Sequence, residues 1–137
     1  MENVIKIKQG FGDIAFGTPV EDVVALLGEA DEVESVENAL DEPTTILHYF
    51  DGGMTLFFEG DSPSLQCIDI SLDESTLFGR PIFDMQEKDI VQMMVENNYC
   101  EEDADEEAWG ERRISFGEAN VDFFFDGGEL VSVVWGA

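Results

Sequence analysis

The feature that most constrains the fold is a helix signal that the chain contains twice. The stretch AFGTPVEDVVALLGEA (residues 15–30) has a capping box, Thr18 and Glu21, with Pro19 at the first helical position and a stop at Gly28. Its apolar residues recur at helical spacing. A second version, LFGRPIFDMQEKDIVQMMVENN (residues 77–98), places its cap at Asp84. Helices this short are not stable alone, so each must pack on another element.

Three strand signals follow each helix. They are TILHYF (45–50), MTLFFE (54–59) and LQCIDISL (65–72) in the first half, and RRISF (112–116), VDFFFD (121–126) and ELVSVVW (129–135) in the second. The central pair matches best, with Phe124 standing 67 residues (124 − 57) after Phe57. We expect the acidic connections at 29–43 and 101–107 to be solvated loops, the first containing a short strand at 32–36, and VIKIK (4–8) to add a strand.

Neither half can bury its apolar face alone, but two halves side by side can share one core. The chain of 137 residues is therefore predicted to be a single domain, residues 1–137, of the α+β class. We predict two tandem helix-plus-antiparallel-meander repeats, at about 11–73 and 74–137, sharing one antiparallel sheet with the helices on one face.

The motif G-x-P-x-x-D-V-x-x-L-L-G (residues 17–28), followed by aromatic strands and then repeated, resembles the tandem-repeat family of the β-lactamase inhibitory protein. A single unit is similar to the small lipoprotein of the outer-membrane barrel-assembly machinery. The resemblance extends from about Phe11 over nearly the whole chain and rests on pattern rather than on catalytic residues. It implies a tandem-repeat fold and, for an acidic intracellular member, an immunity-type inhibitor or an interaction module.

The charge of the chain narrows the classes of partner. With 32 acidic and 6 basic residues the formal net charge is −26, so nucleic acid and anionic membranes are not expected as direct partners. The natural complement is a basic protein surface, although the charge also serves solubility alone. No signal peptide or membrane span is evident, which predicts a cytoplasmic protein with Cys67 and Cys100 reduced.

No catalytic, cofactor-binding or metal-binding constellation is recognisable. His48 is the single histidine, and we expect it to line the core with Ile46 and Phe50 rather than to act in catalysis. Neither cysteine has the basic neighbours that would activate a thiolate. The acidic run from Asp103 lacks the glycine and the final glutamate of an EF-hand, so a solvated loop is favoured over loose cation binding by its carboxylates.

Strand alternation predicts which side chains face away from the helices. The apolar sets of the two central strands should lie under the helices, which leaves Phe57 and Phe124 on the opposite, helix-free face. Aromatic anchors within a charged rim are typical of protein interfaces. The candidate partner-binding residues are Tyr49, Phe57, Glu59, Asp69, Trp109, Asp122, Phe124 and Asp126.

Three functions remain open from these patterns. The favoured one is a non-enzymatic protein-binding module, such as an acidic inhibitor or immunity-type protein that docks on a basic protein partner. The second is a small ligand-binding or enzymatic domain that uses the same sheet face. The third is a structural homodimer, since the sequence does not distinguish a monomer from a homodimer.

Overall fold

The computed structural model describes residues 2–37, 43–60, 62–100, 103–106 and 110–137. The first half contains, in chain order, β1 (Val4–Lys6), β2 (Gly10–Phe11), β3 (Ile14–Ala15), α1 (Val20–Leu27), β4 (Glu32–Glu37), β5 (Pro43–Tyr49), β6 (Met54–Glu59) and β7 (Ser64–Ile70). The second half contains β8 (Thr76–Leu77), β9 (Arg80–Pro81), α2 (Glu87–Glu96), β10 (Asp103–Glu106), β11 (Glu111–Phe116), β12 (Val121–Asp126) and β13 (Glu129–Gly136).

The longer strands of each half form a meander, and the two meanders join into one antiparallel sheet. Within the described residues this large sheet has eight strands, in the order β10-β11-β12-β13-β7-β6-β5-β4. The halves meet where β13 pairs with β7, with Val133 opposite Ile70 and Trp135 opposite Ile68. The short strands form a small sheet in the order β3-β2-β1-β8-β9, in which β1 and β8 are parallel.

The prediction of an α+β fold, with two repeats sharing one antiparallel sheet and the helices on one face, is wrong. Strands make up 50% of the structure and helices 22%, so the protein is predominantly β. The strand expected at 32–36 is present as β4, but residues 103–106, expected to be a loop, form β10. An extended segment beside an open strand edge satisfies its backbone hydrogen bonds while its acidic side chains remain in water, so composition did not decide its conformation.

One hydrophobic core lies between the inner face of the large sheet and a layer made of α1, α2 and the small sheet. Each layer contributes fully buried side chains, among them Phe58 and Phe123 from the large sheet, Val23 and Met94 from the helices, and Phe11 from the small sheet. The inward sets predicted for the two central strands are confirmed. They are Met54, Leu56 and Phe58 in β6, and Val121, Phe123 and Phe125 in β12.

The predicted facing of β5 is wrong. Leu47 and Tyr49 are the buried residues of this strand, with 2% and 4% of their surface exposed, and His48 points away from the core. The register explains the difference, because Leu47 lies opposite Leu56 and Tyr49 lies opposite Met54, both of which are buried. Phe50, also expected inside, is exposed in a short 3₁₀ turn.

The facing of β13 changes part-way along the strand. A bulge pairs Phe124 with Ser132 but Phe125 with Leu130, so Val131 is an extra residue. Strict alternation from Val133 would bury Val131 and expose Leu130, whereas Leu130 is buried and Val131 is 46% exposed. The first half has the same irregularity 67 residues earlier, between Phe57 and Phe58. A rule that side chains alternate strictly between the two faces of a strand predicts neither bulge.

The predicted N-terminal caps of the helices are wrong, although both helices are present and the predicted stop of α1 at Gly28 is confirmed. Helix α1 begins after Pro19 without a side-chain cap, because the preceding backbone is tied to the start of β7 through Thr18 and Leu65. Helix α2 begins later than expected, with a capping box formed by Gln86 and Asp89. The assignment of whole repeats to 11–73 and 74–137 stays a prediction.

Candidate functional site

The side of the large sheet that faces away from the core is here called the outer face. Six of the eight predicted partner-binding residues lie on it: Phe57, Glu59, Asp69, Asp122, Phe124 and Asp126. Trp109 lies outside the described residues. Tyr49 is not on this face, because it is buried in the core, so the prediction that it faces outward is wrong.

The hydroxyl of Tyr49 shows why this residue belongs to the core. It donates a hydrogen bond to the carbonyl oxygen of Gly28, at 2.9 Å, and so joins β5 to the end of α1. Burial, together with the nearby carboxylate of Asp31, raises the pKa of the phenol. A side chain held in this way is structural rather than available to a partner.

A row of side chains crosses the whole outer face at its middle, because neighbouring strands place directly paired residues side by side. From one edge to the other it consists of Glu32, His48, Thr55, Asp69, Val134, Asp122, Ser115 and Asp103. Four of these eight are carboxylates. The centre of the outer face is therefore acidic, with Val134 as its apolar member.

Phe57 and Phe124 lie on opposite sides of this row, each half-buried. Three strand spacings separate β6 from β12, and the two residues lie toward opposite ends of these antiparallel strands, so they are roughly 20 Å apart. Phe57 is flanked by Ile46 and Cys67, which defines the Phe57 patch. Phe124 is flanked by Ser132 and Arg113 and lies beside the exposed Val131 of the bulge, which defines the Phe124 patch.

The acidic residues alternate with the two patches along the face. Asp69 and Asp122 lie between them, whereas Glu59 and Asp126 lie two residues beyond Phe57 and Phe124, at the far ends of their strands. The outer face is therefore an apolar patch repeated twice within an acidic surround. A concave pocket of 360 Å³ adjoins the Phe124 patch, between Phe124, Val131 and the side chain of Arg113.

Burial changes the titration of two groups at the centre of the face. It raises the pKa of the Asp69 carboxyl above its usual range. Burial, reinforced by the carboxylates of Asp69, Glu59 and Asp122, raises the pKa of the Cys67 thiol to about 11. Cys67 is therefore held as the protonated thiol at neutral pH, which is the unreactive form of the side chain.

Arg113 is the basic side chain on the outer face, among the residues that the structure describes. Its guanidinium donates to the carboxylates of Asp103, at 3.0 Å, and of Asp105, and to Ser115 Oγ, at 2.6 Å. The bonds to Asp105 and Asp103 raise the pKa of this guanidinium. The positive charge of Arg113 is thus neutralised by carboxylates of the second half of the chain.

The first half of the face has a different arrangement at its edge. Glu32 and Glu34 project from β4 toward His48 of β5, and one donor atom from each of the three lies within 4.8 Å of the others. His48 Nε2 is 3.4 Å from a Glu34 oxygen, and His48 Nδ1 is 3.3 Å from the hydroxyl oxygen of Thr55. An imidazole and two carboxylates are a donor set that metal ions use.

The sequence interpretation missed Ile46, His48 and Arg113 as outer-face residues. A signal was present, because the offset of 67 that relates Phe57 to Phe124 also relates His48 to Ser115. An offset shorter by one residue would match His48 with the buried Ile114 instead, and a shift of one residue moves every side chain of a strand to the other face. Carrying the same offset through both strands places His48 outside.

No helix in the part of the chain that the structure describes is long and apolar enough to cross a membrane. No family model, curated protein or solved structure matches the chain. The resemblance to the β-lactamase inhibitory protein family therefore stays a prediction.

Proposed function

We propose that this chain is a non-enzymatic protein-binding module that docks its outer face onto a basic protein surface. The observation that carries the proposal is the pair of half-buried aromatic patches, around Phe57 and Phe124, within an acidic surround. A few central residues, often aromatic, supply most of the binding energy of protein interfaces, while a charged rim supplies orientation and a faster encounter. An inhibitor or immunity-type protein of the cytoplasm is the form we favour.

The charge distribution supports a partner that is basic. The net charge is −26, and the one guanidinium on the described outer face, that of Arg113, is already bonded to carboxylates. Two acidic surfaces repel each other, so this distribution disfavours the homodimer that buries two outer faces against each other. The raised pKa of Cys67 argues against this residue as a catalytic nucleophile, since a protonated thiol is a poor nucleophile.

The experiment is affinity capture from a lysate of the source organism, with quantitative mass spectrometry of the retained proteins. The wild-type chain is compared with Phe57→Ala/Phe124→Ala and with the control Leu26→Ala, which truncates an exposed apolar side chain on α1. We expect a basic protein that is retained by wild type and by the control, at least tenfold less by the double variant, and progressively less as salt is raised.

A charge-matched pair of variants separates the face from the net charge. Glu59→Gln/Asp122→Asn/Asp126→Asn removes three charges from the outer face, whereas Glu74→Gln/Asp13→Asn/Asp84→Asn removes three exposed charges elsewhere. We expect only the outer-face set to slow association, as measured by surface plasmon resonance with the captured protein. Equal retention by all variants, or a wild-type dimer that the Phe57→Ala/Phe124→Ala variant converts to monomer in ultracentrifugation, contradicts the proposal.

A further inference from the structure

The two halves of the large sheet end in equivalent pairs of edge strands that have different contents. In the second half, Asp103 lies opposite Ser115 and Asp105 lies opposite Arg113. In the first half the corresponding pairs are Glu32 with His48 and Glu34 with Ile46. Both edge strands therefore present two carboxylates to the outer face, two residues apart.

The second half neutralises its two carboxylates internally. The guanidinium of Arg113 bonds to both Asp103 and Asp105. In the first half the equivalent of Arg113 is Ile46, which has no charge to offer. Among the described residues, which include all six Lys and Arg side chains, no Lys or Arg forms an ion pair with Glu32 or Glu34. The two carboxylates of the second half are thus neutralised by the guanidinium of Arg113, whereas those of the first half have no such basic partner among the described residues.

His48 stands where the second half has Ser115, and its imidazole is held in position. The ring contacts Thr55 Oγ1 through Nδ1, at 3.3 Å, from the neighbouring strand β6. If Nδ1 carries the proton and donates it to that hydroxyl oxygen, the lone pair of Nε2 points toward Glu34. Ligating histidines are oriented by this kind of contact through their other ring nitrogen.

The Nε2 atom itself is buried yet has no hydrogen-bond partner, although the Glu34 oxygen is only 3.4 Å away. A buried polar atom without a partner is costly, and native structures rarely retain one without a reason. A cation bound between Nε2 and the two carboxylates satisfies this atom and removes the repulsion between Glu32 and Glu34. The unpartnered Nε2 of His48 therefore points to a bound ligand, as the unneutralised charges of Glu32 and Glu34 also do.

We propose that Glu32, Glu34 and His48 bind a divalent transition-metal cation at the edge of the outer face, and that Zn²⁺ fits this site. An imidazole nitrogen favours Zn²⁺ over Ca²⁺ or Mg²⁺, which prefer sets composed entirely of oxygen ligands. Three protein ligands leave a fourth tetrahedral position for water or for an atom of a partner. The site is independent of whether the outer face binds a basic protein.

The test is calorimetric titration of ZnCl₂ into the full chain after removal of metal by a chelator. We expect one site per chain of higher affinity than the background of surface carboxylates. Affinity for this site should fall more than tenfold in His48→Gln and in Glu32→Gln/Glu34→Gln. In Thr55→Val, which removes only the contact that orients the ring, it should fall about tenfold. Millimolar Mg²⁺ should not displace the Zn²⁺.

The second half supplies the control for non-specific binding by an acidic chain. Asp103→Asn/Asp105→Asn removes the same number of charges from an equivalent edge strand and should leave the site intact. Because His48 is the only histidine, its Hε1 ring proton gives one assignable NMR signal, which Zn²⁺ should shift in wild type and in this control. An unmoved signal, or equal loss of Zn²⁺ affinity in the variants of the two halves, overturns the proposal. Far-UV circular dichroism verifies that each variant is folded.

Discussion

The hydroxyl of Tyr49 donates to the carbonyl oxygen of Gly28 across 2.9 Å, and this bond joins strand β5 to the residue that ends helix α1. Gly28 has a positive φ of 87°, a conformation that glycine adopts readily, and its carbonyl oxygen is thereby presented to the sheet. Tyr49, predicted as a surface residue that binds a partner, therefore connects helix α1 to the large sheet.

We expect Tyr49→Phe to lower the free energy of unfolding by about 1 kcal/mol, the usual net contribution of one hydrogen bond. Urea unfolding followed by circular dichroism measures this change. The control is Tyr99→Phe, because the Tyr99 hydroxyl makes no hydrogen bond among the described residues and should have little effect. A loss of partner affinity in Tyr49→Phe without a loss of stability would contradict the structural role.

The neighbours Phe123 and Phe124 should differ sharply when truncated. Phe123 is fully buried against Phe116, whereas Phe124 is half-buried on the outer face. We expect Phe123→Ala to cost about 3–5 kcal/mol through the cavity it leaves, and Phe124→Ala about 1 kcal/mol. Thermal or urea unfolding of the two variants makes the comparison. Similar losses from both would show that the outer face is covered rather than exposed.

The two cysteines should differ in their reactivity toward Ellman's reagent. The pKa of Cys67 is raised to about 11, so at pH 8 roughly a thousandth of it is thiolate, whereas Cys100 is exposed. We expect Cys100 to react quickly and Cys67 at least tenfold more slowly in the folded chain. The Cys100→Ser variant isolates the slow reaction. In strong denaturant the difference should disappear, and rapid labelling of Cys67 in the folded chain would be the contrary result.

Asp69 should make the protein less stable as the pH rises. Burial raises the pKa of its carboxyl, so the folded chain holds the proton more tightly than the unfolded chain does. The stability this confers is complete below the unfolded pKa of about 4 and is lost as the pH rises through the folded value. We therefore expect Asp69→Asn to be more stable than wild type at pH 7, with the difference vanishing near pH 3.

Urea unfolding at a series of pH values checks this dependence. The control is Asp13→Asn, which removes an exposed carboxyl in the small-sheet layer and should change the stability little at any pH. A constant difference between Asp69→Asn and wild type across the whole series would show that burial of this carboxyl does not control its titration.

The local patterns predicted most of the strands because they depend on neighbours along the chain. The alternation of VDFFFD predicts Phe123 and Phe125 on one face, and the apolar spacing of VVALL predicts a helix that buries Val23. The same reasoning placed Phe57 and Phe124 on the opposite face, where they are found.

The features that local patterns did not predict depend on how one strand pairs with the next. The facing of β5 was decided by the pairing of Leu47 with Leu56 and of Tyr49 with Met54, since a change of one residue in register moves every side chain to the other face. The bulges near Phe57 and Phe124 likewise exist only relative to the partner strand. The predicted Trp109 anchor lies outside the described residues.

The amino-acid order determined where the chain is helical or extended in its apolar segments, because hydrophobic periodicity acts within a few residues. The tertiary structure alone decided that acidic segments become edge strands, that a second sheet rather than helices alone closes the core, and that Glu32, Glu34 and His48 converge. These outcomes follow from backbone hydrogen bonds and burial across strands, which sequence neighbours do not specify. In particular, Trp135 donates to the carbonyl oxygen of Gly10, 125 residues away, and joins the two sheets.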